Sequence, residues 1–500
     1  MSETREVPVM GEGEIVEPLL CELSREGHRG VRLPASDVPE TKMARAIPSW
    51  AVRQRPARLP EVSEPEVIRH FTRLSTLNFH LDAGFYPLGS CTMKHNPKIN
   101  DEMAALPGFS ELHPLSPEEA SQGALALTHV VSKLLCEITG FAAATLQPAA
   151  GAQGEMTGML MVRARHRDKG QGDRRKVVIV PDSAHGTNPA TAHEVGWSVR
   201  SIKSEQGLID ARALAEALSD ETAAVMVTLP NTLGLFEPRI REIADKVHEA
   251  GAYLYLDGAN FNALVGLVKP RQVGFDLGHL NLHKTFSQPH GGGGPGAGPV
   301  LVSEELEPYL PVPVVVDKGG SYAFDFDRPR SVGRVHGFYG NFGVLVRTYT
   351  YLLSLGPEGL SEVSREAILN ANYLKEKLRG LFELPFDRPC MHEFVMSGRN
   401  LRKHGVRTLD VAKRLLDFGV HAPTVYFPLI VEEALMIEPT ETETLHNLDH
   451  FADAMKRIAR EAAEEPETLK HAPFTTPVSR LDEGRAAREL KLTWEWPEKS

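Results

Sequence analysis

The chain has few cysteines, and their placement excludes several kinds of protein. Only four occur among 500 residues, Cys21, Cys91, Cys136 and Cys390, and no two of them form a CxxC pair. A disulfide framework or a cysteine-ligated metal knuckle needs more closely spaced cysteines. The pattern favours a reducing compartment, and we predict a cytoplasmic protein.

The sequence also lacks an excess of positive charge and any long apolar run. Its 55 Lys and Arg residues against 66 Asp and Glu residues give a formal net charge of -11, whereas binding to a nucleic acid requires clustered cations. No apolar run approaches the roughly 18 residues of a membrane span, and the start has no secretory signal pattern. We therefore expect no nucleic-acid partner and no membrane span.

Length and composition predict several folded domains. A chain of 500 residues exceeds what one hydrophobic core supports, and its 42% hydrophobic content can fill more than one. We predict an N-terminal arm with helices at 1–110, a large domain at 111–345 and a smaller domain at 346–500. The first 70 residues contain eight prolines, so this part of the arm lies on a partner subunit, lies on its own subunit, or is partly disordered.

Three short apolar runs predict strands of a parallel sheet. They lie at 177–180, 223–229 and 252–256, and helical patterns occupy 210–218 and 238–250 between them. Uniformly apolar runs indicate strands that are covered on both faces. Alternation of strands and helices builds a mostly parallel sheet flanked by helices, so the predicted fold class is α/β.

Capping signals predict two longer helices. One is expected to begin at Ser116, followed by Pro117 and two glutamates, and to end at Gly140. The other is expected to be capped by Ser361 and to run toward Gly380. Each carries apolar residues at helical spacing, so each is expected to pack against a core.

The C-terminal part alternates short apolar runs with helical patterns. The runs lie at 393–396 and 435–437, and the helical patterns cover 408–418 and 443–463. This alternation predicts a small sheet covered by helices. We therefore expect the domain at 346–500 to be of the α+β class.

Lys284 is the first candidate for chemistry. Ligands of open α/β sheets bind beyond the carboxyl ends of the strands, and Lys284 lies in such a segment among apolar, small and imidazole residues. Partial desolvation lowers the pKa of a lysine from its usual value of about 10.4 and provides a neutral amine that attacks carbonyls. Schiff-base formation is the functional interpretation, and a surface lysine beside a glycine-rich turn is the alternative.

Asp257 directly follows the third apolar run, where an unpaired carboxylate would cost several kcal/mol. A protonated pyridine nitrogen is a suitable partner, and this is the role of aspartate in enzymes that use pyridoxal phosphate. Helix capping or an arginine partner is the alternative. His185 and Ala259 would then cover the two faces of the pyridine ring, although a histidine after a strand is more often a satisfied polar residue.

A helix N-terminus is the candidate phosphate site. The segment PAAGAQGE at 148–155 predicts a helix that begins near Gln153, and such an end presents free N–H groups and a positive dipole. The backbone amides of Ala152 and Gln153, together with a donor on His283, would hold a phosphate. A plain helix start packed in the core is the alternative.

Two other patterns are weaker indications of function. Gly291, Gly293 and Gly296 formally match GxGxxG, but no helix follows them, so we predict only a flexible or closely packed turn beside Lys284. The sequence contains no HExxH pattern, and we predict no catalytic metal. The potential ligands considered for a metal are His185, His193, His283, His290 and Asp257.

Seven blocks of the sequence resemble the P-protein family of the glycine cleavage system, and within it the cofactor-carrying subunit 2 of two-subunit members. The blocks are GHRGVRLPASDVPE at 27–40, FYPLGSCTMKHNPKIND at 85–101, LQPAAGAQGE at 146–155, DSAHGTNPA at 182–190, YLDGANFNA at 255–263, NLHKTFSQPHGGGGPGAGP at 281–299 and LMIEPTETE at 435–443. They are spread over most of the chain, and the block around Lys284 is the most specific.

The resemblance implies a fold and an activity. It implies the pyridoxal-phosphate-dependent transferase fold type I and the activity of a decarboxylating glycine dehydrogenase, with pyridoxal 5'-phosphate attached to Lys284 and Asp257 stabilising its ring. Glycine would lose CO2, and its aminomethyl group would pass to the lipoyl arm of H-protein. The length implies a separate subunit 1 and an α2β2 heterotetramer.

Two other functions remain open. A different fold-type I enzyme, such as an amino-acid decarboxylase or a hydroxymethyltransferase, would share Lys284 and Asp257 but would not depend on H-protein. A catalytically silent assembly subunit would show no cofactor absorbance. Within the site, the partner of the cofactor's phenolate oxygen is undecided among Thr228, Asn231 and Thr232, and Cys91 is expected to be packed rather than nucleophilic.

Overall fold

The computed structural model describes residues 17–55, 57–290 and 296–493. The chain divides into two compact units, one formed by the described residues of 1–80 and 472–500 and the other by 81–471. The predicted domain boundaries near 110 and 345 stay predictions. The turn predicted at 291–295 lies outside the described residues, as do the first 16 residues of the predicted arm.

The elements are named in chain order. The α-helices are α1 (Leu20–Leu23), α2 (Met43–Ala46), α3 (Glu64–Thr76), α4 (Lys98–Ala104), α5 (Pro107–Ser110), α6 (Gln122–Thr139), α7 (Gly151–Asp168), α8 (Thr187–Glu194), α9 (Ala211–Ala217), α10 (Ile240–Glu249), α11 (Leu282–Thr285), α12 (Phe342–Leu378), α13 (Thr408–Leu416), α14 (Leu445–Glu464), α15 (Pro466–His471) and α16 (Glu483–Arg488). The β-strands are β1 (Ala143–Thr145), β2 (Val177–Pro181), β3 (Ser198–Ile202), β4 (Ser204–Glu205), β5 (Leu208–Ile209), β6 (Thr222–Thr228), β7 (Tyr253–Gly258), β8 (Leu277–Leu280), β9 (Val300–Val302), β10 (Val314–Asp317), β11 (Tyr322–Asp325), β12 (Phe394–Ser397), β13 (Thr424–Val425) and β14 (Ala434–Ile437).

A seven-stranded sheet forms the centre of the unit at 81–471. Its strand order is β1-β9-β8-β7-β6-β2-β3, and the strands from β8 to β3 run parallel. Strand β9 runs antiparallel to both of its neighbours. The three predicted strands are confirmed as β2, β6 and β7, in which every residue is buried, and α9 and α10 lie in the predicted helical stretches.

The two faces of the sheet pack against different helices because side chains alternate along a strand. In β2, Val178 and Val180 belong to a buried cluster with Met159 of α7. The intervening Ile179 belongs to the opposite cluster, together with Leu135 of α6. Both faces are thus covered, as the uniformly apolar runs predicted.

The predicted helix start at Ser116 is wrong, whereas the predicted end is confirmed. Residues 118–120 form a 3-10 turn, and α6 begins only at Gln122. The Gln122 side chain donates to the backbone carbonyl of Tyr322 at 2.8 Å, so this segment is tied to β11. Gly140 ends α6 in a left-handed conformation with φ 80°, which favours glycine.

The helix predicted to be capped by Ser361 begins earlier. Helix α12 breaks at Gly356, where φ is 64°, and resumes at Pro357, because proline suits a first helical turn. Ser361 lies in the next turn, and its hydroxyl donates to the carbonyl of Gly266 at 3.1 Å. The predicted stop is close, since Gly380 follows the end of α12 with φ 81°.

A three-stranded antiparallel sheet, in the order β12-β14-β13, lies in the C-terminal part of the same unit. Phe394 of β12 pairs with Ile437 of β14, and both belong to a buried cluster with Phe451 of α14. The predicted apolar runs and helical patterns of this region are confirmed as β12, β14, α13 and α14.

In the unit formed by residues of 1–80 and 472–500, the helices α1, α2, α3 and α16 are joined by long segments without regular secondary structure. Helix α3 begins with a capping box, in which the Glu66 carboxylate accepts from the backbone N–H of Ser63 at 2.7 Å. The Glu17 carboxylate pairs with His70 and Arg73 of the same helix. Across residues 17–55, 57–290 and 296–493, no helix combines the length and apolar composition needed to cross a membrane.

Helix α7 approaches the sheet so closely that one position requires glycine. A Cβ on Gly158 would lie 2.6 Å from the ring of Tyr255, which is fully buried and hydrogen bonded to His279 at 2.9 Å. We expect Gly158→Ala to lower the free energy of unfolding by about 1–3 kcal/mol through overpacking. Urea unfolding measures this change, with Gly123→Ala as the control.

The control position is also helical, but a Cβ on Gly123 would meet nothing within 4 Å. There alanine is expected to leave stability unchanged or raise it by up to about 1 kcal/mol. Equal stability of the Gly158→Ala variant and the wild type would contradict the close packing of α7 on β7.

Candidate active site

The carboxyl edge of the sheet brings the two main predicted residues together. Asp257 lies near the end of β7 and pairs in register with His279 of the neighbouring strand β8. Helix α11 follows β8 directly and carries Lys284, which is 9% exposed. The charge of Lys284 contributes to lowering the pKa of Asp257, so the two groups are within electrostatic reach.

Asp257 is a buried carboxylate with several donors. Its Oδ2 accepts from Asn188 at 3.1 Å and from Thr228 at 3.2 Å. Its Oδ1 accepts from the backbone N–H of Ala259 at 3.0 Å and lies 3.5 Å from Nε2 of His279. Burial alone would raise the pKa of Asp257, but His279, the Ala259 amide and Asn188 outweigh it and hold the pKa below its usual value. The group is therefore ionised.

Glu155 of α7 is a second buried carboxyl beside Asp257, and the sequence analysis missed it. Its Oε2 accepts from the same Asn188 side chain at 2.9 Å, and its Oε1 accepts from Thr187 at 2.8 Å. Burial, followed by the charge of Asp257, raises the pKa of Glu155 to about 8. At neutral pH the two neighbouring carboxyls therefore differ, with Glu155 protonated and Asp257 charged.

The three residues left open as partners of a phenolate oxygen already have partners within the chain. Thr228 donates to Asp257 at 3.2 Å. Asn231 donates to the carbonyl of Gly207 at 2.7 Å, and its oxygen accepts from two backbone amides of the following turn. Thr232 donates to the carbonyl of Ser183. A ligand oxygen would therefore have to share a donor that the fold already uses.

Lys284 points at a loop from a distant part of the sequence. Its Nζ donates to the backbone carbonyl of Ser90 at 2.8 Å. The adjacent His283 is neutral, because burial and the Lys284 charge lower its pKa to about 3. Its Nδ1 accepts weakly from the backbone N–H of Ala297 at 3.4 Å. In that tautomer the Nε2–H of His283 is available as a donor, and its role at a phosphate stays a prediction.

Cys91 follows Ser90 in this loop. Its Sγ lies 3.1 Å from Nε2 of His290. Burial raises the pKa of the Cys91 thiol, so it remains a thiol and is a poor nucleophile at neutral pH.

Helix α7 begins at Gly151, two residues before the predicted start at Gln153. The N–H groups of its first three residues precede the helical hydrogen-bond pattern and remain suited to an anion. A Cβ on Gly151 would lie 2.7 Å from Oδ1 of Asn281 and 3.1 Å from Nε2 of His279. Glycine thus lets the helix N-terminus reach the end of β8, next to Asp257.

The described end of the glycine-rich segment is closely packed around the same helix start. A Cβ on Gly298 would lie 2.1 Å from the carbonyl oxygen of Ala150, and one on Gly296 would lie 2.8 Å from Nδ1 of His283. The turn was predicted to be either flexible or closely packed, and the part after residue 295 is closely packed.

The remaining predicted residues lie around this edge. His185 keeps an exposed edge, while desolvation by the surrounding protein lowers its pKa, and its ring centroid lies 5.5 Å from that of Phe427. Ala259 follows Asp257 in the turn after β7 and is half-buried, and Ala152 is exposed on the first turn of α7. The side chain of Gln153 binds backbone groups of Ala149 and Val335, which leaves only its amide for a ligand.

Three residues of the site escaped the sequence analysis. Glu155 and Asn188 stand inside motifs that were singled out, at 146–155 and 182–190, yet nothing in their spacing shows that they meet Asp257. His279 lies in β8, whose sequence LGHL has no continuous apolar run. An acid one helical turn after a glycine-rich helix start is the one signal that could have drawn attention to Glu155.

One cluster in the site has the composition of a metal site. Ligand atoms of Glu155, Asp257 and His279 lie within 4.8 Å of one another. Their oxygens already accept hydrogen bonds from Asn188 and Thr228, among others, so the cluster is organised as a hydrogen-bond network. The predicted absence of a catalytic metal stays a prediction.

The donor set suits an aromatic aldehyde that carries a phosphate. An ionised buried carboxylate can face a protonated ring nitrogen, a buried amine can reach an aldehyde, and a helix N-terminus can hold a phosphate. Within the part of the chain that the structure describes, Oδ1 of Asn188, Oδ1 of Asn281 and Oγ1 of Thr285 are buried without a hydrogen-bond partner. Buried polar atoms in this state are typical of a site that completes its hydrogen bonds with a ligand.

Comparison with protein families places the chain among known sequences. A family described as glycine cleavage system P-protein matches residues 36–326, and one described as glycine dehydrogenase, C-terminal domain, matches residues 363–474. A probable glycine dehydrogenase (decarboxylating) subunit 2 from Caldanaerobacter subterraneus subsp. tengcongensis is 57% identical over 477 residues, which cover 95% of this chain and 98% of that protein. The protein of the same description from Bacillus velezensis is 57% identical over 478 residues, with 95% and 97% coverage.

Solved structures share the architecture. A crystal structure of glycine decarboxylase (P-protein) of the glycine cleavage system, in inhibitor-bound form, has a TM-score of 0.70 at 24% identity and covers 82% of this chain and 93% of that chain. A NifS-like protein has a TM-score of 0.59 at 14% identity, with 75% and 99% coverage. At these identities the likeness concerns the fold, and it confirms the predicted fold type I.

Proposed function

The chain belongs to the glycine cleavage system P-protein family, and from this premise we propose how its own residues decarboxylate glycine. The proposal assigns pyridoxal 5'-phosphate as the cofactor and Lys284 as the residue that carries it. The observation that supports it most directly is the presence of a buried ionised carboxylate, Asp257, and a buried lysine at one edge of the sheet.

Four residues would hold the cofactor ring. Lys284 provides the amine for covalent attachment of the aldehyde. Asp257 would face the ring nitrogen and keep it protonated, because the surrounding hydrogen-bond donors keep Asp257 itself ionised. His185 and Ala259 would cover the two faces of the ring. When bound, the cofactor supplies an electron-withdrawing ring that accepts the electron pair released as CO2 leaves.

The phosphate would lie at the start of α7. The backbone amides of Ala152 and Gln153 lie in the first turn of α7, at the positive end of the helix dipole, and His283 would add a donor from α11. Because His283 has a pKa of about 3, it binds as a neutral imidazole and adds no charge.

Proton placement follows from the buried groups. Glu155, with a pKa of about 8, keeps its proton beside Asp257, so the pair presents one negative charge instead of two. That single negative charge would match the positive charge of one protonated ring nitrogen. The hydrogen bonds from Asn188 and Thr228 keep the Asp257 carboxylate oriented. These groups have negligible exposure, which keeps water from screening the interaction.

The second half of the reaction requires a partner that accepts electrons. We propose that the aminomethyl carbon bonds to one sulfur of the oxidised lipoyl arm of H-protein, while the other sulfur leaves as a thiol after taking a proton. The electron pair freed by loss of CO2 reduces that disulfide, so no redox cysteine of this chain is needed.

The assembly is proposed to contain a second kind of subunit. The relatives are described as subunit 2, and we propose that this chain joins a subunit 1 in an α2β2 heterotetramer. The four cysteines are free thiols, the state that a reducing compartment maintains, and we propose the cytoplasm as its location.

Exchange of labelled bicarbonate into the carboxyl group of glycine tests this function. We expect exchange when the chain is combined with subunit 1, pyridoxal phosphate and lipoylated H-protein. H-protein without its lipoyl group is the control and is expected to support little exchange. An amino-acid decarboxylase or a hydroxymethyltransferase would instead act on its substrate equally well with either form of H-protein, and that result would overturn the proposal.

A further inference from the structure

Two buried glutamates face each other at one end of the small sheet. Phe394 of β12 pairs with Ile437 of β14 in antiparallel register, and Glu393 and Glu438 are the next residues outward on the two strands. Their exposures are 0% and 1%. Like charges opposite each other on two strands are destabilising, so this arrangement calls for a compensating charge or proton.

The nearest titratable group does not provide that compensation. His392 is fully buried, and its Nε2 lies 3.7 Å from Glu393 and 3.9 Å from Glu438. Within the described part of the chain neither ring nitrogen has a hydrogen-bond partner. Burial and the charge of Lys284 lower the pKa of His392 to about 3, so the imidazole is neutral.

The two carboxyls influence each other's protonation. Burial, and then the charge of Glu438, raise the pKa of Glu393 well above its usual value. Burial likewise raises the pKa of Glu438 to about 7. Each carboxyl also accepts one strong hydrogen bond, Glu393 from the backbone N–H of Ser90 at 2.7 Å and Glu438 from the hydroxyl of Thr92 at 2.5 Å. These bonds favour a charged form, so the pair is suited to one charge and one proton.

A short loop connects this pair to the active site. The backbone N–H of Ser90 donates to Glu393, and the carbonyl of the same residue accepts from Nζ of Lys284 at 2.8 Å. Ser90 has φ 65°, a left-handed conformation that is uncommon outside glycine. The geometry lets one residue present its amide to the glutamate and its carbonyl to the lysine.

The other charged groups near the pair balance one another. Lys94 and Glu441 both act on Glu438, but they form a buried ion pair at 2.7 Å. The Cys91 thiol between the pair and the site is neutral, because burial raises its pKa. Among the described residues, Lys284 is therefore the remaining cation that acts on both glutamates, and its charge also acts on Asp257 at the other side of the site.

We propose that Glu393 and Glu438 share one proton and carry one negative charge, and that this charge is the counter-ion of the Lys284 amine and sets the pH at which the amine reacts. The two glutamates are positioning residues, since they act on Lys284 through the hydrogen bonds of Ser90 and through the electrostatic field of their charge. The inference rests on the proposed function only in giving Lys284 its role as the reacting amine.

The test measures the reactivity of Lys284 in the full chain freed of cofactor. Acetylation by a trace of acetic anhydride is followed against pH by peptide mass spectrometry, and the midpoint gives the pKa of the amine. Glu393→Gln and Glu438→Gln are each expected to leave the midpoint within about 0.3 pH units, because the remaining carboxyl ionises once its neighbour is neutral. The double variant is expected to lower the midpoint by about one pH unit, since removing an opposite charge favours the neutral amine.

Other outcomes separate the alternatives. A shift in each single variant would mean that both glutamates are charged in the wild type, and no shift in a folded double variant would mean that neither is. Either result overturns the proposal. Glu237→Gln is the matched control, because Glu237 is also buried but binds backbone amides of Ile209 and Arg239, and it is expected to leave the midpoint unchanged.

A second measurement covers the case in which the double variant does not fold. In infrared difference spectra near pH 8, above the pKa of Glu438, each single variant should lose one neutral-carboxyl band relative to the wild type, because the remaining carboxyl is ionised once its neighbour is neutral. No loss of that band would also overturn the proposal. Failure of the wild type to attach pyridoxal phosphate at Lys284 would instead contradict the proposed function, and the acetylation midpoints would still decide the protonation of the glutamates.

Discussion

Lys284→Ala is expected to abolish glycine–bicarbonate exchange, with a loss of about a thousandfold or more. Without the amine there is no residue to attach the cofactor's aldehyde, and the neighbouring imidazoles cannot replace it. Borohydride reduction followed by peptide mapping measures the attachment directly. The wild type should yield a labelled peptide containing Lys284, and the variant should yield none.

Two further variants make this result specific. Lys284→Arg keeps the positive charge and can still donate to the carbonyl of Ser90, yet a guanidinium is not deprotonated in proteins, so it should be as inactive as alanine. Lys269→Ala removes a half-buried lysine that pairs with Glu137 away from the site, and it should retain full exchange. Appreciable exchange in Lys284→Arg would show that charge at this position, and not the free amine, is what the reaction needs.

The parts of the fold that were predictable are those whose sequence signal is local. Strands β2, β6 and β7 are continuous apolar runs, because both of their faces are buried. Strand β8 is equally buried, but Gly278 and His279 interrupt its pattern. Gly278 is small because a Cβ there would lie 2.6 Å from Leu256 of β7, and His279 serves the site. Strand β8 was therefore not predictable from its sequence, because one residue required for close packing and one required by the site interrupt its apolar run.

The site divides in the same way. Asp257 and Lys284 were predictable because each follows a strand or stands in a distinctive segment, and the sheet then brings them together. Glu155 contacts Asp257 through Asn188 only because α7 and α8 pack on the same face. Ser90 meets Lys284 across 194 positions of sequence. Such contacts depend on tertiary packing, and no spacing rule in one sequence reports them.

The charge of Lys284 acts on carboxyls in two buried pairs, on Asp257 in one pair and on Glu393 and Glu438 in the other. In one pair, Glu155 holds a proton and Asp257 is charged. In the other, Glu393 and Glu438 are proposed to share a proton. Each pair would then present one negative charge to a region whose imidazoles are neutral. One negative charge would then balance the cationic amine, and the other would balance a cationic ring nitrogen. This predicts that activity depends more on where each negative charge lies than on how many acidic residues are present.

Asp257→Asn tests that view where the expected effect is large. The amide keeps the shape and can still bond to Thr228, but it cannot carry the charge that stabilises a protonated ring nitrogen. We expect exchange to fall by about 100-fold or more, with cofactor still attached to Lys284 in borohydride trapping. Loss of the Asp257 charge should also lower the pKa of Glu155, because that charge is one cause of its elevation.

Glu155→Gln is the matched control for this prediction, since it replaces a neutral carboxyl by a neutral amide in the same network. Its acceptor oxygen can still receive the bond from Thr187 or from Asn188, so we expect exchange to change by no more than about fivefold. The ratio of the two effects measures where the negative charge resides. If Glu155→Gln lost as much exchange as Asp257→Asn, the charge would have to be shared between both carboxyls, and the assignment of the ring partner to Asp257 alone would be wrong.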